Sequence, residues 1–196
     1  MTTKQIYDWC TSGPWITEES TCTQWKYEVI RGVMYIAFEG SNSAMDWRQN
    51  FSFWVKPYKR MPYVWFAHAG FVEKWKSVEG AIFELCKSAR YTNIVVAGFS
   101  QGAAIAQLCH ESLRFHFLAP VETFAFASPR VVWFWNLWNI GCRFRHVHNF
   151  RRRWDIICHL PPWLFGYFHV GESVKIGSRW PSFKIVKNHM TYEDVL

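Results

Sequence analysis

Asn93-Ile94-Val95-Val96-Ala97, running directly into Gly98-Phe99-Ser100-Gln101-Gly102, is the stretch that decides the fold. The first five residues form a short apolar run, the pattern of a strand buried on both faces of a parallel sheet. The residues from Gln101 to Phe115, rich in Ala, Leu and Gln, predict a helix. Between the two sits G-x-S-x-G, where a serine would occupy a sharp strand-to-helix turn with its hydroxyl lifted above the sheet. Glycine is needed on both sides because a Cβ would strike neighbouring backbone. The start of the helix favours negative charge beside the hydroxyl, and the Gln101 N–H is placed to donate to an oxyanion. Ser100 is therefore the candidate nucleophile.

Working outward, Phe71–Ala89 has apolar residues at Val72, Trp75, Val78, Ile82, Leu85 and Cys86, a helical period. Val121–Ala127 and Arg145–Phe150 read as further strands, Phe165–Ile176 as a hairpin and Asn188–Leu196 as a short terminal helix. Tyr27–Ile30 and Val33–Phe38, split by Arg31-Gly32, read as a strand pair adding antiparallel strands at one edge. Strand and helix alternate through the middle, so the expected class is α/β, with a mostly parallel central sheet covered by helices on both faces. There is no internal repeat or Pro/Gly/Ser linker, and 196 residues are expected to form one domain over 1–196.

A serine nucleophile needs a base, and the base needs an orienting carboxylate. After Ser100 the acids are Glu111, Glu122, Asp155, Glu172, Glu193 and Asp194. Asp155 follows a strand, as a sheet-end acid should, and Glu172 is the reserve. The histidines beyond it are His159, His169 and His189. His189 sits in a polar approach, Val186-Lys187-Asn188, that can deliver an imidazole, which puts it slightly ahead of His169.

Hydrophobic residues make up 50% of the chain and charged ones 19%, which excludes a disordered polymer. Aromatics reach 19% with 13 Trp, more than a core of this size needs, so some rings are expected at the surface. A net charge of +7 points to anionic partners, nucleic acid or a negatively charged lipid surface. The arginines at 143, 145, 151, 152 and 153 read as a solvated face or an anionic phospholipid contact, and nucleic acid is not expected. Val131–Trp138 and Trp163–Phe168 are ring-rich, suiting an acyl groove or lipid boundary on one reading, core packing or a dimer contact on the other. Phe51–Val55 and Tyr63–Phe66 could form a flap or a pair of strands. Met1–Trp15 lacks the apolar core of a signal peptide, and no stretch approaches the roughly 20 apolar residues of a membrane span. A soluble, cytoplasmic protein able to associate with a membrane surface is expected. Six cysteines show no CxxC pair or zinc spacing; they are expected as reduced thiols, and no metal or organic cofactor is implied.

Seven blocks in order resemble the class 3 (fungal-type) lipase family of α/β-hydrolases. They are Phe38-Glu39-Gly40-Ser41, Asp46-Trp47, His68-Ala69-Gly70-Phe71, the Gly98–Gly102 elbow, and Phe126-Ala127-Ser128-Pro129-Arg130-Val131. Asp155 before Leu160-Pro161-Pro162, with His169-Val170-Gly171-Glu172, and the ending Asn188-His189-Met190-Thr191-Tyr192 complete the set. The resemblance implies a triad of Ser100, Asp155 and His189, an oxyanion hole from Ser41 and Gln101, and a structural His169. His68 is expected to be structural, and Asp46 to cap a turn or support the oxyanion loop. The family usually has His before the nucleophile and Leu-Gly-Gly after it; this chain has Phe99 and Gln101-Gly102-Ala103. No long lid is apparent between Gly40 and His68, so a minimal lid is expected. The activity implied is a serine esterase or lipase on acylglycerols or phospholipids, working through an acyl-enzyme. The rivals are a carboxylesterase, thioesterase or cutinase-like hydrolase of small esters, and a non-catalytic lipid-binding domain.

Overall fold

The computed structural model describes residues 1–40, 54–60, 63–133, 141–177, 189 and 192. Its elements in chain order are α1 (Thr3–Cys10), β1 (Ile16–Glu18), β2 (Thr23–Ile30), β3 (Val33–Phe38), β4 (Val55–Arg60), β5 (Tyr63–His68) and α2 (Ala69–Ser88). Then come β6 (Asn93–Phe99), α3 (Gln101–His116), β7 (Val121–Phe126), β8 (Val132–Trp133), β9 (Val147–Arg152), β10 (Tyr167–Phe168) and β11 (Glu172–Ile176). The main sheet runs β1-β2-β3-β6-β7-β9-β11 and a smaller one β10-β8-β5-β4.

From β3 to β11 the main sheet is parallel; β2 pairs antiparallel with β3, as the sequence predicts, and β1, a strand the sequence reading did not include, adds antiparallel at the edge beyond β2. Alternation along β3 and β6 sends Ile36 and Val96 to one face, with α2 and α3, and Ala37 and Ala97 to the other, with α1. Helices thus cover both faces. The helical stripe predicted for α2 buries Val72, Trp75, Val78 and Ile82, each worth roughly 1.5–3 kcal/mol of apolar transfer. On the other face α1, closed by a capping box of Thr2 and Gln5, sets the Tyr7 ring edge-on to Phe126 at 5.2 Å and Phe99 at 6.0 Å.

Phe165–Ile176 is not a hairpin. β10 pairs antiparallel with β8 in the smaller sheet, whereas β11 pairs parallel with β9 in the main one. Gly171 makes the switch: its φ is +77°, and a Cβ there would meet the Val147 carbonyl oxygen at 2.4 Å. Of the suggested flap, the described part forms paired strands, β4 and β5, with Tyr58 and Trp65 buried and their rings 4.7 Å apart. Residues 51–53, the Asp46-Trp47 block and the 41–53 segment where a lid would lie fall outside the described residues, as does most of the expected terminal helix. The charge run is not purely a solvated face. Arg143 pairs at 2.7 Å with Glu111, whose side chain is fully buried. None of the six cysteines is joined in a disulfide; Cys22 and Cys142 are exposed and the rest buried. Among the described residues no helix is long and apolar enough to cross a membrane.

His110 on α3 is fully buried, its Nδ1 2.9 Å from Thr123 Oγ1. Burial, then the charge of Arg114, pushes its pKa down to about 3. A histidine held neutral in the fold must take up a proton on unfolding once the pH drops below its ordinary value near 6.5, so acid favours the unfolded chain. Between about pH 6 and pH 5 stability should fall with a slope approaching 1.4 kcal/mol per pH unit from this group. Urea unfolding at a series of pH values checks it, and His110→Gln should flatten the slope by that amount.

Candidate active site

The bend after β6 has the geometry that the glycines imply. Ser100 adopts φ 55° and ψ −121°, a backbone state that side chains rarely take. Its N–H donates to the Phe126 carbonyl at 2.8 Å, tying the bend to β7. A Cβ on Gly98 would lie 2.4 Å from the Gly102 backbone, and one on Gly102 would lie 2.1 Å from the Phe38 carbonyl oxygen. Ser100 precedes α3 as its N-cap, yet its side chain makes no capping bond. The hydroxyl is turned instead to an imidazole.

That imidazole belongs to His189, whose Nε2 is 3.0 Å from Ser100 Oγ and whose Nδ1 is 2.8 Å from Asp155 Oδ2. Ser100, Asp155 and His189 are all buried. A chain separation of 89 residues between serine and histidine is closed into one hydrogen-bonded line. Asp155 follows β9, where it caps the 3₁₀ turn Ile156–His159 through an Ile157 N–H to Oδ1 bond of 3.0 Å. One carboxylate oxygen is thereby occupied by backbone and the other is turned to the ring.

Oδ2 has a second donor that the sequence reading did not single out. Tyr192 OH donates to it at 2.9 Å and accepts from Arg152 N–H at 2.9 Å. Burial, then the neighbouring Cys158 and Asp155 groups, raises the phenol well above its usual range, so it stays a donor. The signal was present as a tyrosine three residues after the histidine, within the quoted ending. Cys158 adds a long thiol contact of 3.5 Å to the same oxygen, and burial pushes its thiol up. The Phe99 ring lies beside His189, centroids 4.9 Å apart, filling the position where the family usually has histidine.

The other expected residues sort clearly. Gln101 opens α3, where first-turn amides have no carbonyl one turn behind them. Ser41 lies outside the described residues. His169 is apart from the triad line: its Nε2 is 2.7 Å from the Cys158 carbonyl, and burial followed by Arg151 pushes its pKa down to about 3, the state of a neutral structural ring. His68 is buried with its ring stacked on Phe71 at 4.3 Å. The reserve acid Glu172 stands on β11 beside His148, 3.3 Å from its Nδ1. Among the described residues no group of His, Cys, Asp and Glu is arranged to hold a metal ion.

A family model described as lipase (class 3) matches residues 35–165. The chain is 30% identical over 159 residues to a lipase of Rhizomucor miehei, covering 76% of this chain and 43% of that protein. It is 31% identical over 150 residues to the secreted mono- and diacylglycerol lipase A of Penicillium cyclopium, covering 73% and 48%. The chain thus spans less than half the length of these curated relatives. Among solved structures, lipase II from Rhizopus niveus superposes with a TM-score of 0.78 at 21% identity, over 92% of this chain and 79% of that one, a likeness of fold.

Proposed function

This chain belongs to the class 3 lipase family, and from that membership we propose that it is a serine ester hydrolase acting on acylglycerol or phospholipid esters. Ser100 is the nucleophile, His189 the general base and acid, and Asp155 the carboxylate that orients the ring. The observation carrying this reading is the unbroken line from Ser100 Oγ through both nitrogens of His189 to Asp155, at 3.0 and 2.8 Å, set on a strained strand-to-helix bend.

In the proposed reaction His189 Nε2 takes the Ser100 proton as Oγ attacks the ester carbonyl. Asp155 accepts from Nδ1 and stabilises the imidazolium, while the Ile157 and Tyr192 donors fix the carboxylate in place. The tetrahedral oxyanion is met by the Gln101 N–H at the start of α3 and by Ser41. Each such donor is worth roughly 3–4 kcal/mol in the transition state. Collapse returns the proton to the departing alcohol. Water, activated by the same imidazole, then releases the acid from Ser100.

A fluorophosphonate probe tests the assignment directly, because it labels a serine only where base and oxyanion donors have made it nucleophilic. The unsubstituted protein is expected to label and Ser100→Ala to remain dark. Failure of the unsubstituted protein to label, or equal labelling of both, removes the hydrolase reading in favour of a non-catalytic lipid-binding domain.

A further inference from the structure

Trp163, Leu164 and Phe165 form a single 3₁₀ turn and are 62%, 75% and 56% exposed. Three consecutive large apolar side chains so uncovered cost solvation unless something receives them. The turn is also tightly built. Arg130 donates from its backbone N–H to the Leu160 carbonyl at 2.7 Å, and from its guanidinium to the carbonyls of Pro161 (2.8 Å) and His159. The Pro162 and Trp163 carbonyls accept from Phe165 and Gly166 N–H groups, and the Phe165 carbonyl accepts from Trp133 Nε1–H at 2.9 Å. With the Pro162, Trp163 and Phe165 carbonyls already bonded, the projection strands fewer polar groups on entering a low-dielectric medium.

The segment around it is predominantly basic. From Arg151 to Glu172 the sequence holds three arginines and two acids: Asp155, which is buried and engaged by His189 and Tyr192, and Glu172, which lies 3.3 Å from His148 Nδ1. Arg153 is exposed beside Trp154, itself 38% exposed, with the guanidinium 5.6 Å from the ring centroid. Arg130 lies at the root of the turn. The segment leaves the same edge of the parallel sheet as the Ser100 bend, since both follow the C-terminal ends of their strands.

We propose that the Trp163–Leu164–Phe165 turn is an insertion wedge that docks this chain on an anionic phospholipid surface, with the flanking arginines holding the headgroups. The inference rests on the ester-hydrolase reading for its purpose, since docking here brings the Ser100 edge of the sheet to lipid. It does not rest on it for its test. Apolar side chains set the insertion and basic ones add anion selectivity.

The test uses the full chain carrying Ser100→Ala, so that no lipid is consumed, and measures co-sedimentation with vesicles of phosphatidylcholine alone or mixed with phosphatidylglycerol. Binding to the mixed vesicles is expected. It should weaken on the order of 100-fold in Trp163→Ala/Leu164→Ala/Phe165→Ala, and about fivefold in Arg153→Gln. Leu164→Asp, a single exposed change, should reproduce the loss if the triple variant folds poorly. With Ser100 present, the wedge variants should hydrolyse a soluble p-nitrophenyl butyrate within about twofold of the parent, as residues acting on docking alone would. No vesicle binding, binding unaffected by the wedge, or equal binding to neutral vesicles overturns the proposal. Self-association abolished by the wedge substitutions would overturn it too, making the turn a contact between copies. Absence of soluble-ester turnover in the parent strikes the hydrolase reading alone, and the sedimentation result is judged separately.

Discussion

Ser100→Ala should lower turnover of a soluble ester on the order of a million-fold while leaving the chain folded, because removing the proposed nucleophile from a triad acting as a unit forfeits nearly all it contributes. The structure adds a second half to this expectation. Ser100 is held at φ 55° and ψ −121° by its N–H bond to Phe126 and by the glycine contacts on either side. Such a conformation costs about 1–3 kcal/mol in a residue with a Cβ and little in glycine. Ser100→Gly should therefore be as inactive as Ser100→Ala yet more stable than it by a comparable amount, less what glycine gives back through the more flexible unfolded chain. Steady-state kinetics with p-nitrophenyl butyrate and urea unfolding of the two variants measure both halves. Turnover in Ser100→Ala within tenfold of the parent would mean that another group attacks the ester. Ser100→Gly no more stable than Ser100→Ala would mean that the strain at the bend does not exceed what glycine gives back through the unfolded chain.

How much of this was visible beforehand follows from the range of the interactions involved. The elbow is local: an apolar strand, two glycines around a serine and a helix-forming run lie within about one βα unit, and periodicity and steric rules read such segments well. The helical stripe of α2 and the antiparallel pair β2 and β3 were legible for the same reason. The histidine was not fixed by local rules. His169 and His189 both follow the acid, and what separates them in space is β9, which carries Asp155 to the end of the sheet nearest Ser100, while His169 is turned to the Cys158 carbonyl. The misread hairpin has a similar origin. Tyr167–Phe168 and Glu172–Ile176 are adjacent in sequence, but Gly171 sends them to different sheets, and a glycine between two short strands is equally compatible with a turn. Tyr192 went unread as a partner of Asp155 because a buried phenol announces itself only through what it touches.

The same steric reading makes Gly102→Ala the substitution expected to harm the fold most. Its Cβ would sit 2.1 Å from the Phe38 carbonyl oxygen and 2.6 Å from that of Glu39, both backbone atoms at the end of β3, so no side-chain rotation can relieve the clash. Either α3 lifts from the sheet or the β3 end moves. α3 packs on β6 and β7 through buried residues along nearly its whole length, so lifting it opens the core. We expect a loss of roughly 3–5 kcal/mol, beyond ordinary overpacking because backbone must shift, against a total stability of about 5–15 kcal/mol for a domain of this kind. Activity should fall with it, since Glu39 leads through Gly40 into the segment assigned to the oxyanion hole. Gly80 is the internal control: it is exposed on α2 and a Cβ there meets nothing within 4 Å. Gly80→Ala should stabilise the protein by about 0.8–1 kcal/mol through helix propensity alone, with turnover unchanged. Urea unfolding of the two variants therefore should move the midpoint in opposite directions, and a Gly102→Ala protein as stable as the parent would show that the close approach of α3 to the β3 end is not what holds the bend in place.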